Sequence, residues 1–238
     1  MATFVLVHGA FGGGWNWDPV REPVEQAGHE VITPDLPSQG NDQTPLSEIT
    51  LDSYRDRVIE VLDRQTGPVV LAGHSLAGIS ISQAAESRPD KIKVLVYVAA
   101  FLLPNGSSPK HFWGKQSIPS PVISHCDVSD DGVVTFRKKH IADIIYNTSP
   151  AAAVKKAMEL QRPMARKPLG TPLRLSAENF GRVPRVYFEA LEDKAIPIEY
   201  QRKMLQSMPC EKVVSFATDH VPMASATGQF TRELLALA

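Results

Sequence analysis

The chain has 238 residues, a length at which an α/β protein builds one domain around one large core. Its 43% hydrophobic and 21% charged residues are those of an ordinary globular protein. A formal charge of −1 gives no basis for electrostatic attraction to nucleic acid or an anionic membrane, so neither is an expected partner.

Thr3–His8 (TFVLVH) is a continuous apolar run and predicts a strand buried on both faces. A glycine-rich turn, GAFGGGW, follows, then a helix over about Trp17–Ala27 with Gly28 as its C-cap. HEVITPDLP reads as a second strand ending at Asp35. Leu51, Tyr54, Val58, Ile59 and Leu62 recur at helical spacing and predict an amphipathic helix over about Leu51–Gln65. GPVVLAGHS is a third strand, LAGISISQAAESRP a helix stopped before Pro89, and KIKVLVYVAAF a fourth strand.

From Leu103 to about Arg182 the rhythm breaks into Pro-, Ser- and Lys-rich sequence with one helix near Pro150–Gln161 and no second series of hydrophobic strands. Alternation then resumes with RVYFEA (strand), IPIEYQRKMLQSM (helix), EKVVSFA (strand) and a closing helix ending ELLALA. The expected fold class is α/β: a mostly parallel sheet with helices on both faces. Residues 1–103 and 183–238 form the core, and 104–182 form a cap inserted between two strands.

Chemistry concentrates in AGHSLAG. Ser75 directly follows an apolar strand and precedes a helix, the setting of a nucleophile on a strained elbow. Such a turn needs small neighbours. Gly73 supplies one, whereas Ala77 stands where the usual G-x-S-x-G has its second glycine. A serine needs a base, and DHVP sets His220 in a loop between the last strand and the last helix. His29, His111 and His140 are read as surface residues.

The imidazole needs an orienting carboxylate. Asp193, just beyond the next-to-last strand, completes the order Ser…Asp…His; Glu189 and Glu192 are its rivals, and Asp219 is too close in sequence to face His220. The amides of Ala10 and Leu76 are the expected oxyanion donors. Phe11, Phe101, Phe112, Trp113, Tyr146 and Met164 are candidate walls of an apolar substrate pocket.

The stretches FVLVHGAFGGGWNW, EQAGHEVITPDLPSQG, VVLAGHSLAG, FGRVPRVYFEALEDKAIP and ATDHVPMAS carry a resemblance over nearly the whole length. The chain resembles the α/β-hydrolases, in the branch of plant methylesterases, plant hydroxynitrile lyases and bacterial esterases. That resemblance implies the α/β-hydrolase fold, His8 and His74 as structural residues, and ester hydrolysis through an acyl-enzyme without metal or organic cofactor. It also implies a homodimer, since family members often pair.

The lyases use a lysine after the catalytic histidine and a threonine after the first strand's histidine. Here those positions are Val221 and Gly9, so hydrolysis of a small apolar or aromatic ester is expected over cyanohydrin cleavage. The double change Val221→Lys with Gly9→Thr is expected to gain some lyase activity. A non-catalytic small-molecule receptor of the same fold is the other alternative.

Three further signals are set aside. GAFGGGW lacks the third glycine of a dinucleotide-binding turn. DVSDDG has Lys138 where a calcium loop needs glutamate, so it reads as a solvated turn, and FRKKH as an exposed charged face. His125–Cys126 has no further ligands at metal spacing. The two cysteines, Cys126 and Cys210, suit a reducing compartment. No signal peptide is visible and no apolar run reaches the ~18–20 residues of a membrane span, so a cytoplasmic location is expected.

Overall fold

The computed structural model describes all 238 residues. Its centre is a six-stranded sheet in the order β2-β1-β3-β4-β8-β9, and every pairing in it is parallel. The strands are β1 (Thr3–Val7), β2 (Glu30–Ile32), β3 (Val69–His74), β4 (Ile92–Val98), β8 (Arg185–Ala190) and β9 (Lys212–Phe216). The apolar sequences of β1, β3, β4 and β8 follow from burial on both faces, whereas the edge strands β2 and β9 are partly exposed. Phe4 and Leu6 of β1 join one core layer and Val5 and Val7 the other, as a period of two requires.

Helices α1 (Asp18–Gln26) and α10 (Thr227–Leu235) pack together over the first layer, with Val20, Val24, Phe230 and Leu234 buried there. Helices α2 (Leu51–Asp63) and α3 (Ala77–Ser87) cover the second, through Tyr54, Val58, Leu62, Ile81 and Ala84. Thr50 opens α2 with a capping box: its hydroxyl accepts from Ser53 N, and Ser53 Oγ accepts from Thr50 N. The second strand stops at Ile32, short of the expected Asp35. Pro34 and Pro37 follow at once, and proline cannot continue a sheet ladder.

The segment between β4 and β8 forms the cap. It carries short helices α4 (Pro109–Gly114) and α5 (Pro121–Ser124), strands β5 (Cys126–Val128) and β6 (Val133–Phe136), helix α6 (Ala151–Leu160), strand β7 (Met164–Ala165) and helix α7 (Lys167–Gly170). Its three strands make a separate antiparallel sheet, β5-β6-β7, where no strands were expected. Helix α8 (Ile198–Ser207) returns the chain to β9, and α9 (Pro222–Ser225) precedes α10.

The chain runs from β1 outward to β2 and back to β3 beside β1, so the carboxyl ends of β1 and β3 flank a topological switch. Open parallel sheets bind ligands at such a point. No helix is long and apolar enough to cross a membrane.

Candidate active site

β1 ends in His8-Gly9-Ala10 and β3 in His74-Ser75-Leu76, side by side. Ser75 has φ +54, in the left-handed region that β-carbon-bearing residues rarely enter. Its backbone is pinned from both sides. Ser75 N donates to Val98 O (3.1 Å), while its carbonyl accepts from Gly78 N (3.2 Å) and Phe101 N (3.0 Å).

The elbow's demand for glycine falls at Gly73 and Gly78 and not at Ala77. A β-carbon at Gly73 would sit 2.9 Å from Ile81 Cδ1, and one at Gly78 only 2.2 Å from the Phe101 carbonyl oxygen. Ala77 is buried and accommodated.

Two cavities meet at Ser75. A small chamber of about 60 Å³ is lined by Gly9, Trp15, Asn16, Tyr146 and His220. A larger one of about 570 Å³ is lined by Leu76, Phe101, Trp113, Met164 and Ile196. Ala10, Phe11, Ser75 and Val122 face both.

The pocket candidates Phe11, Phe101, Trp113, Met164 and Tyr146 therefore all stand on a cavity wall. Phe112 does not: it packs edge-on against Phe101 and Tyr200 behind the wall. Val122, Phe136 and Ile141 were missed, because hydrophobic residues in short cap elements give no directional pattern until the cap is folded, and Ile196 was missed because it sits in the irregular loop between β8 and α8.

His220 is buried and its Nδ1 lies 2.7 Å from Asp193 Oδ2. Asp193 also accepts from Ala195 N (2.7 Å), Ile196 N (2.9 Å) and Gln201 Nε2 (3.1 Å), so both of its oxygens are held. The rivals are engaged elsewhere. Arg202 binds both Glu189 oxygens, holding that carboxyl below the usual carboxylate range, and Glu192 is exposed. No hydrogen bond joins Ser75 Oγ to the imidazole, a contact that commonly tightens only when substrate is bound. Neither Ala10 N nor Leu76 N donates to a protein acceptor, which leaves two amide donors at the cavity floor.

The other two buried histidines support the backbone. Leu36 N donates to His8 Nε2 (3.0 Å), so Nδ1 carries the proton and donates to Gly9 O (2.8 Å). His74 Nε2 donates to the His220 carbonyl at 2.8 Å. Burial pushes both imidazoles below the ordinary value, His74 furthest, with the neighbouring His220 adding to the effect.

Asp219, fully buried, bridges the histidine loop to the cap. It accepts from Val221 N and Ser225 Oγ on one oxygen and from Thr148 N and Ser149 Oγ on the other.

Gly9 touches the serine from behind: a β-carbon there would lie 2.8 Å from Ser75 Cβ and 3.0 Å from His74 O. Gly9→Thr would therefore displace the serine, and the expected gain of lyase activity does not follow from grafting two residues.

Residues 4–233 match the family model described as the alpha/beta hydrolase family. The chain is 32% identical to methylesterase 7 of Arabidopsis thaliana, covering 99% of this chain and 95% of that one. It is 33% identical to the alpha-hydroxynitrile lyase of the same plant, covering 99% and 96%. The crystal structure of polyneuridine aldehyde esterase superposes with a TM-score of 0.91 at 28% identity, over 100% of this chain and 99% of that one.

Proposed function

We propose that this chain, which belongs to the alpha/beta hydrolase family, is a serine carboxylic-ester hydrolase that works through an acyl-enzyme on Ser75. The reading rests above all on one arrangement: Ser75, held at φ +54, shares a cavity wall with His220, whose Nδ1 is 2.7 Å from a carboxylate. In this mechanism His220 takes the Ser75 proton as Oγ attacks the ester carbonyl. Asp193 fixes the imidazole with its proton on Nδ1 and stabilises the cation that forms. The Ala10 and Leu76 amides receive the oxyanion, a role worth ~2.7–4 kcal/mol per donor in related chemistry. His220 then protonates the departing alcohol, and water repeats the sequence on the acyl-enzyme.

The protonation step orients the substrate. The leaving oxygen must face His220, which lines the small chamber, so the alcohol half lies there and the acyl half in the larger apolar cavity. A chamber of about 60 Å³ suits a one- or two-carbon alcohol. Phe101, Trp113 and Met164 give the acyl cavity its apolar, partly aromatic walls. No step requires a metal or organic cofactor.

The cyanohydrin lyase alternative has no ammonium at position 221, where buried Val221 stands. A turnover assay with methyl and ethyl esters of apolar and aromatic acids, whose alcohols match the small chamber, tests the proposal. Sustained release that Ser75→Ala abolishes is expected; binding without release would instead favour a receptor.

A further inference from the structure

Three cations stand at the outer end of the larger cavity: Lys110 on α4, Arg166 before α7, and Lys167 on α7. Leu76, next to Ser75 in the chain, and Met164 are buried on the cavity wall, whereas these three side chains are exposed, so the charge lies where the cavity meets solvent. No aspartate or glutamate lines the cavity. None of the three forms an ion pair, although Arg166 N bonds the Gly132 carbonyl beside the acidic turn Asp130–Asp131. The cluster is local, since the whole chain carries a charge of −1. Helices α4 and α7 pack together, and the Lys110 stem passes 3.9 Å from where a β-carbon on Gly170 would be.

Resting on the ester-hydrolase reading and deepening it, we propose that the acyl half of the substrate ends in an anionic group, a carboxylate or a phosphate, received by Lys110, Arg166 and Lys167. The apolar walls hold the chain of the acyl group while its charged end stays at the mouth, among cations and water. The uncharged reacting end thus reaches Ser75 without burying the anion, a burial that would be strongly unfavourable. An exposed cation acts weakly alone, so the preference comes from three acting on one anion and is screened by salt.

The test compares kcat/KM for monomethyl suberate, the methyl ester of an ω-phosphorylated octanoate, and neutral dimethyl suberate. At low salt an anionic ester is expected to exceed the neutral one by about tenfold. That ratio should fall toward unity at high salt and in the folded triple variant Lys110→Ala/Arg166→Ala/Lys167→Ala. Which anion gains more identifies the group.

A ratio near unity in the wild type, or one unchanged in the triple variant, overturns the proposal. Calorimetry with Ser75→Ala separates it from the hydrolase reading. Tighter binding of monomethyl than dimethyl suberate, lost with the three cations, supports the anion site even if the wild type cleaves neither. Equal binding overturns it even if both are cleaved.

Discussion

Ser75 combines a strained backbone with a half-buried place on the wall of both cavities, and that combination gives the residue a measurable signature. A β-carbon at φ +54 is unfavourable by about 1–2 kcal/mol, strain that glycine does not carry. Ser75→Gly is therefore expected to raise the unfolding free energy by about 1 kcal/mol in urea while ester turnover disappears. A glycine variant less stable than wild type would contradict this assignment of strain.

The neighbouring positions divide as the contacts dictate. Gly78→Ala drives a methyl group into the Phe101 carbonyl and should lose more than ~2 kcal/mol, whereas Ala77→Gly should change stability by only ~1 kcal/mol. Thermal unfolding of both variants reads the difference. The serine was legible from its strand-to-helix setting, but the place of its obligatory glycine was not. The motif counts along the chain, and the constraint comes from the exit of β4. Asp193 was preferred to Glu189 on chain order alone; the Arg202 pairing that occupies Glu189 is disclosed by no spacing.

At the scale of elements, the cap is fastened to the two loops that carry the proposed acid and base. Asn147 Nδ2 donates to Glu192 O (3.1 Å), next to Asp193, and Thr148 and Ser149 bond Asp219, next to His220. Asp219 bonds backbone amides and the Ser149 and Ser225 hydroxyls and not the imidazole, an anchoring role that the sequence did not disclose. Asp219→Ala leaves buried donors unpaired at ~1–3 kcal/mol each, and a loss of at least ~3 kcal/mol is expected. Asp219→Asn keeps one acceptor and should lose less. Urea midpoints, with limited proteolysis of the cap, check this; equal stability of the alanine variant and wild type would contradict it.

The alternating strands and helices were legible because each buries a periodic apolar face. The cap sheet was not, since strands of two to four residues carry too little periodicity. One signal was present: Asp131-Gly132, read as a solvated turn, is the tip of the β5–β6 hairpin, with Gly132 at φ +84.

For the whole molecule, the buried histidines tie stability to pH. Burial holds His8 and His74 below the ordinary imidazole value, whereas in the unfolded chain they titrate near ~6.5. Below that pH the unfolded chain takes protons that the folded one refuses. Stability is therefore fully present above about pH 6.5 and declines beneath it, by up to ~1.4 kcal/mol per pH unit for each histidine. Glu189, held low by Arg202, adds its own loss only below about pH 4.5. Urea unfolding between pH 7.5 and 5 should show the decline; a flat profile would mean that both imidazoles accept protons within the fold.

The same architecture brings β1, β3, β8 and the loop after β9 to one rim, where the proposed chemistry requires an acyl group to pass through Ser75. Acid-quenching the reaction of a methyl ester of an apolar acid during turnover and weighing the intact protein and its peptides tests this most directly. An acyl increment on the peptide containing Ser75, absent in Ser75→Ala and slow to form in His220→Ala, is the expected result. Turnover at full rate with no increment on that peptide, or an equal increment in the alanine variant, would contradict the account.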